Sequence, residues 1–428
     1  MKKLLTVLAF PIFVYAISLD EAVNEAIKNN LEIKQTTYDI KIANYQLKED
    51  KNLWLPQFFA NFSYTTLIDT PYTRIPPIPP LPALEFKQFN KDYYQFDIGL
   101  NYPIFTGFQR VYKIKISKLD IQNQNLNQKE KIKDIIHKVK LTYIDILQAK
   151  EILEIFEHQK KAINLHLKQA QEYLKEGLTT KVDLLEAKVR LKKVEAKIKK
   201  AKTNLKLAKS KLNLILNKPL DEDFKIEEIK FNLENKNFNL QNLYNLALKS
   251  KNIIKILSTK KNQLGYLSKI EKSNFYPKIY AQAKYTYTEQ YPYLDPKGNV
   301  SFTVLASLQF QGIKPYHSYL KTKLQKKKLD LKLAEVKKTI KLNVKNAYEK
   351  FLVAKENLKT YKEALKEAKE YYTLVKQQFN NQLTDMTHLL DAESYLTNAK
   401  KQLKIAKYEL IKAYFDLENA VGGNLEDE

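Results

Sequence analysis

The chain contains no cysteine, and only 8 glycines, 2 methionines and 1 tryptophan in 428 residues. The missing cysteine excludes disulfides, thiolate metal sites and a lipid-modified N-terminal cysteine. So few glycines suit long uninterrupted helices and leave almost nothing from which to build phosphate-cradling loops. Long hydrophobic runs are also missing: beyond the first residues no stretch approaches the roughly 18 apolar residues that a spanning helix needs. The histidines (His137, His158, His166, His317, His388) form no pair at i+3 or i+4 spacing, so a metal site has no nucleus. There is no Walker-type loop, dinucleotide fingerprint or nucleophile elbow. Composition and motifs therefore argue against an enzyme, a cofactor or a metal centre.

What is present begins with a leader. Lys2 and Lys3 precede an apolar run over residues 4–14 and a small-residue pattern ending at Ala16, the form of a secretory signal peptide over residues 1–16 with the mature chain starting at Ile17. A net charge of +25 suggests nucleic acid in a cytosolic protein. Export argues against that, and the lysines alternate with carboxylates at i+3 and i+4, as in Glu186 to Arg190. The favoured reading is a solvated coiled-coil surface with no nucleic-acid partner.

The chain is also written twice. Residues 56–65 return as 277–286 at an offset of 221, keeping Pro56/Pro277, Ala60/Ala281, Tyr64/Tyr285 and Thr65/Thr286. Further on the offset is 205: Phe105-Thr106-Gly107 matches Phe310-Gln311-Gly312, and Leu184-Leu185-Glu186-Ala187 matches Leu389-Leu390-Asp391-Ala392. The 16-residue difference falls in a proline-rich segment of the first copy that faces a short turn in the second. A repeat of this size dictates architecture. The first copy is expected over residues 17–217 and the second over 240–423, with a linker at 218–239 and a tail at 424–428.

Each copy reads as helix, β-hairpin, long helix, helix. Residues 107–176 contain Gly107 at the strand-to-helix junction and then no proline or glycine up to the end, with apolar residues stepping by threes and fours (Ile146, Ala149, Leu153, Phe156, then Ile163, Leu167, Ala170, Leu174). That period demands a partner helix. Residues 315–380, after the matching junction at Gly312, repeat the pattern. A helix of this size is about 100 Å long. The long helices end in tight turns, Gly177-Leu178-Thr179 before Thr180 and Asn380-Asn381-Gln382-Leu383 before Thr384, and shorter helices follow over 180–217 and 385–421. Single short helices are expected near 19–53 and 240–274.

The hairpins are expected over 55–105 and 277–311. Tyr94, Phe96, Ile98, Leu100, Tyr102 and Ile104 alternate with Gln95, Asp97, Gly99 and Asn101; Phe302, Val304, Ala306, Leu308 and Phe310 do the same in the second copy, with Leu305 intruding on the polar side. Strands of this length with aromatic residues near their ends match a transmembrane β-barrel. Four strands cannot close a barrel, and open edges cannot face lipid, so closure calls for further copies of the chain. The loop over 69–92 holds six of the 14 prolines and suits an exposed, semi-rigid connection.

The duplicated order of elements, the two junction motifs and the tip motifs Val182 to Ala187 and His388 to Ala392 together resemble the TolC-like outer-membrane efflux proteins, over essentially the whole mature chain. The resemblance implies a mainly α fold with membrane β: a duplicated coiled-coil helical barrel in the periplasm, and four strands per chain completing a trimeric 12-stranded β-barrel. It implies a homotrimer in outer-membrane lipid that serves as exit duct for drugs, ions or polypeptides. Its expected partners are a periplasmic adaptor protein and an inner-membrane pump of the RND or ABC type. A non-conducting periplasmic adaptor or structural coiled coil is the alternative, and it leaves the two hairpins of membrane length unexplained.

In that family the periplasmic mouth is narrowed by rings of two acidic residues three apart in the second copy. Asp391 matches the second position; His388 stands at the first, and Thr384 stands where the family has a basic residue. The equivalents in the first copy are Asp183 and Glu186. Thr180 and Asp183 also form a capping-box pattern, and capping is the favoured reading of Asp183. Three copies of Asp391 near an axis would attract cations, and protonation of His388 on acidification would weaken that preference.

Overall fold

The computed structural model describes residues 16–177, 179–229, 231–309, 312–423 and 425. The expected leader up to residue 15, Leu178, Phe310, Gln311 and all of the tail but Leu425 lie outside the described residues. In chain order the elements are β1 (Ala16–Ile17), α1 (Leu19–Asn29), α2 (Leu31–Asn52), β2 (Gln57–Thr66), β3 (Tyr72–Ile75), β4 (Leu84–Lys87), β5 (Asp92–Phe105), α3 (Gln109–Lys175), α4 (Lys181–Leu216), β6 (Lys225–Ile226), α5 (Leu240–Ser250), α6 (Asn252–Ser273), β7 (Lys278–Thr288), β8 (Gly298–Ser307), α7 (Lys314–Asn380) and α8 (Met386–Val421).

The duplication reaches the backbone. α3 and α7 have 67 residues each, and α4 and α8 have 36 each. Left-handed residues recur at the offset of 205: Gly107 (φ 64°) with Gly312 (58°), Gly177 (72°) with Gln382 (57°), and Asn217 (59°) with Gly422 (73°). Gly107 is confined twice over, because a Cβ there would meet the Ser273 carbonyl oxygen at 2.7 Å as well as a left-handed backbone.

Two expectations are corrected. The first helix of each copy is not single: it breaks at Asn30 and again at Lys251. The Asn30 carboxamide competes with the helical backbone, accepting from the Glu32 N–H at 2.9 Å and donating to the Ile215 carbonyl at 2.8 Å. Lys251 donates its ammonium to the Asn419 carbonyl at 2.7 Å. The second correction lies in the proline-rich loop, which carries an antiparallel pair, β3 with β4, from Tyr72↔Lys87 to Ile75↔Leu84.

The chain divides into two compact units. The first, residues 16–37, 126–254 and 334–425 of the described chain, is helical. Its core follows heptad steps: Ile340, Val344, Ala347, Phe351, Ala354 and Leu358 on α7 are all buried, as are Ala187, Val194, Ala201 and Ala208 on α4, the seams that interlocking helices require. Tyr143, fully buried, sets its hydroxyl 3.0 Å from the Ile17 carbonyl and 2.9 Å from that of Glu227, next to the parallel pair β1–β6. Burial pushes its phenol up to about 12.

The second unit, residues 38–125 and 255–333, holds one antiparallel sheet in the order β2-β5-β7-β8. The two hairpins are joined edge to edge through β5 and β7, with Asp97 opposite Thr286.

Candidate functional site

The register sorts the sheet into two faces. Across the four strands, Phe58–Leu100–Ala283–Phe302 and Ala60–Ile98–Tyr285–Val300 form rungs of one face, and Gln57–Asn101–Gln282–Thr303 and Asn61–Asp97–Thr286–Asn299 form rungs of the other. The apolar face is bare: Phe302 is 83% exposed and Phe58 78%. On the polar face Asp97 accepts from the Thr286 hydroxyl at 2.6 Å and the Gln95 amide at 2.9 Å, with the Lys284 ammonium 3.4 Å away. Leu305, opposite Tyr280 on the polar side, keeps the intrusion read from the sequence. At the foot of the sheet Arg110 stacks on Trp54 at 4.1 Å and donates to the Ile104 carbonyl at 3.0 Å, tying α3 to the strand before it.

The second set of candidate residues lies at the far turns of the long helices. Thr180 caps α4, and Asp183 completes the box: its carboxylate accepts from the Thr180 hydroxyl at 2.6 Å, the Thr180 N–H at 3.0 Å and the Thr179 hydroxyl at 2.9 Å. The Thr180 hydroxyl, followed by the other donors, holds the carboxyl below its usual range. At the matching turn Asn380 ends α7, the Asn381 N–H donates to the Gln377 carbonyl at 3.0 Å and the Leu383 N–H to that of Gln378 at 2.8 Å. The cap of α8 is Asp385, whose carboxylate accepts from the His388 N–H at 2.9 Å and from its ring Nδ1 at 2.8 Å. The backbone N–H of His388 leads in holding the Asp385 carboxyl below its usual range. His388 is therefore tethered to its own helix cap, and Thr384 precedes the cap outside the helix.

Asp391 and Glu186 are brought together across two helices by Arg190, for which the sequence pattern offers only the local partner Glu186. Arg190 on α4 donates to Asp391 on α8 at 2.5 Å and to Glu186 at 3.1 Å, while Glu186 accepts from the Thr387 hydroxyl at 2.8 Å. A signal was available: of 73 basic residues only Arg74, Arg110 and Arg190 are arginine, the side chain whose planar fork suits shared carboxylates. Beneath this link lies a small apolar cluster that includes Ala187, Val375, Phe379, Met386 and Leu390. Among the described residues no group of histidines and carboxylates could hold a metal ion, and no helix is long and apolar enough to cross a membrane.

Comparison with known proteins follows the same duplication. The family model for the outer membrane efflux protein matches residues 22–218 and 243–423, once across each copy. The chain belongs to the outer membrane efflux protein family. Members of this family are trimeric outer-membrane channels of tripartite efflux systems, conduits and not enzymes. Among solved structures, a membrane protein from Pseudomonas aeruginosa is similar at 14% identity with a TM-score of 0.76, covering 94% of this chain and 93% of that one. The outer membrane protein VceC of Vibrio cholerae is similar at 12% identity with a TM-score of 0.74, covering 95% and 97%. The CmeC outer membrane channel of Campylobacter jejuni is similar at 15% identity with a TM-score of 0.74, covering 95% and 85%. No curated protein matches. The chain is accordingly an outer-membrane efflux channel with a long periplasmic helical part.

Proposed function

We propose that three copies of the mature chain, beginning at Ile17 after removal of residues 1–16, form one duct. It passes small molecules, ions or polypeptides from a periplasmic adaptor and an inner-membrane pump to the exterior. The observation that carries this reading is the sheet: one face apolar and exposed, the other polar, and β2 and β8 each with one edge unpaired among the described residues. Lipid forbids free edges, and three four-stranded sheets supply twelve strands, a size seen in closed membrane barrels. The turns at Gly177 and Gln382 are the periplasmic tips, and Asp391, with Glu186 and Arg190, is the gate candidate. His388 and Asp183 serve as cap residues beside it. The bare apolar face also argues against the adaptor alternative, for which it has no use.

Light scattering of the detergent-extracted protein, with detergent subtracted, tests this. A mass of about three chains is expected; a monodisperse monomer that still inserts and conducts contradicts it.

A further inference from the structure

Leu119 of α3, α6 residues 261–272 and α7 residues 319–330 enclose a groove of about 780 Å³. Its charge is one-sided. Lys261, Lys269, Lys272, Lys323, Lys326 and Lys327 line it against one carboxylate, Asp330, and that carboxylate already pairs with Lys261 at 2.5 Å. Tyrosine rings hold part of the basic array in place. The Lys272 ammonium lies 4.6 Å from the Tyr319 ring, and that of Lys269 lies 5.5 Å from Tyr112 and 5.6 Å from Tyr266. Cations resting on aromatic faces remain charged and keep donors to spare.

The position of the Leu119 wall follows from α3. Gln109, Arg110 and Lys113 share a cavity with Gln57, Asn101, Gln282 and Thr303 of the polar face, so this side of α3 continues that face. At about 100° per residue, Leu119 sits roughly 120° around the helix from Lys113. α6 packs on α3 in this sector, where the Gln263 amide donates to the Ile116 carbonyl at 3.3 Å and Tyr266 stacks on Tyr112. The Leu119 wall of the groove is therefore off the side of α3 that continues the polar face. The groove is also close to the sheet. α6 ends at Ser273 and β7 starts at Lys278, which leaves Lys269 and Lys272 in the last turns before the strand.

We infer that this groove binds the phosphate of an anionic phospholipid in the periplasmic leaflet. The inference rests on the channel reading, because it needs the apolar face of the sheet to sit in a bilayer. The headgroup layer extends about 5–8 Å beyond the hydrocarbon core, and lysines near a membrane edge extend their stems toward it. An ammonium cluster with tyrosine rings offers charge-assisted hydrogen bonds to phosphate and an interfacial seat for the glycerol backbone. A bilayer, unlike free phosphate, delivers that anion at the height of Lys269, Lys272 and Lys323.

The test uses the full mature protein reconstituted in vesicles of equal parts phosphatidylcholine and phosphatidylglycerol, re-extracted, with retained lipid counted by mass spectrometry. Phosphatidylglycerol is expected to be enriched at least about fivefold, the effect of one near-surface lysine. In the combined variant Lys269→Gln, Lys272→Gln, Lys323→Gln the ratio is expected to fall close to one. A control with Lys193→Gln, Lys199→Gln and Lys200→Gln on α4 should keep the wild-type ratio. Equal retention of both lipids by the wild type, or an unchanged ratio in the groove variant, overturns the assignment. So does soluble glycerol phosphate that competes as well as the lipid. All samples are scored for conductance. A conducting wild type without lipid preference overturns the groove alone, whereas a chain that neither inserts nor conducts overturns the channel reading as well.

Discussion

Arg190 and Asp391 stand 201 residues apart in the chain and 2.5 Å apart in space. Each belongs to the short helix of its own copy, so the contact staples the two halves of the repeat at their tips. The Asp391 carboxylate that the sequence offers as a bare anionic ring has a cation beside it, shared with Glu186. The two partners therefore differ in the effect of their loss. Arg190→Gln frees two carboxylates and should raise cation selectivity, while Asp391→Asn should lower it. Both should increase open time, since either breaks the staple, and the double variant should be no more open than the freer single one. Reversal potentials in a salt gradient read the selectivity; equal selectivity in all variants places the gate elsewhere.

Gln382 holds the left-handed turn that Gly177 holds in the first copy. A side chain there costs about 1 kcal/mol relative to glycine. Gln382→Gly should therefore raise the thermal midpoint of the complex, and Gln382→Ala should not. Gly107→Ala should lower it sharply, because the added methyl meets the Ser273 carbonyl at 2.7 Å; Gly312→Ala, whose Cβ would meet no atom of the described residues within 4 Å, should be milder.

The two faces of the sheet can be told apart by charge. Phe302 and Thr303 are neighbours on β8 and point to opposite faces. Lysine on a lipid face costs about 2–4 kcal/mol near the midplane. Phe302→Lys should prevent heat-modifiable assembly in the membrane fraction, and Thr303→Lys should be tolerated. Equal tolerance of both would remove the lipid face.

His166 is buried and its Nε2 has no partner among the described residues, while Nδ1 lies 3.3 Å from the Gln169 carboxamide oxygen. Burial pulls the imidazole below its ordinary range; Gln169 and Glu393 oppose this and Lys376 assists it. With the folded value below the unfolded one, the unfolded chain takes up the proton first as pH falls. The stabilisation is full above about pH 6.5 and is lost below it. The thermal midpoint should fall between about pH 7.5 and 5.5, and His166→Leu should flatten that dependence. An identical slope in the variant assigns the effect to other groups.

Much of this was legible because repetition and alternation are local. The offset of 205 that pairs Gly107 with Gly312 also pairs their backbone angles, and the alternation from Tyr94 to Ile104 defines one strand and its two faces. The capping box at Thr180 is a three-residue pattern with a local cause. What was not legible depends on partners distant in sequence. The break at Asn30 is tied to the carbonyl of Ile215, 185 residues away. The pair β3–β4 flanks the prolines over residues 76–82 of its loop, in two four-residue segments with weak patterns of their own. Arg190 satisfied a local i+4 pair with Glu186, and that explanation hid its second bond to Asp391.

Conduction is the central claim, and planar-bilayer recording of the purified wild-type protein beside Arg190→Gln tests it most directly. The expected result is discrete, cation-preferring current steps in the wild type, longer and more frequent in the variant. Silence from both proteins, when each inserts and migrates as a heat-modifiable complex, would contradict it.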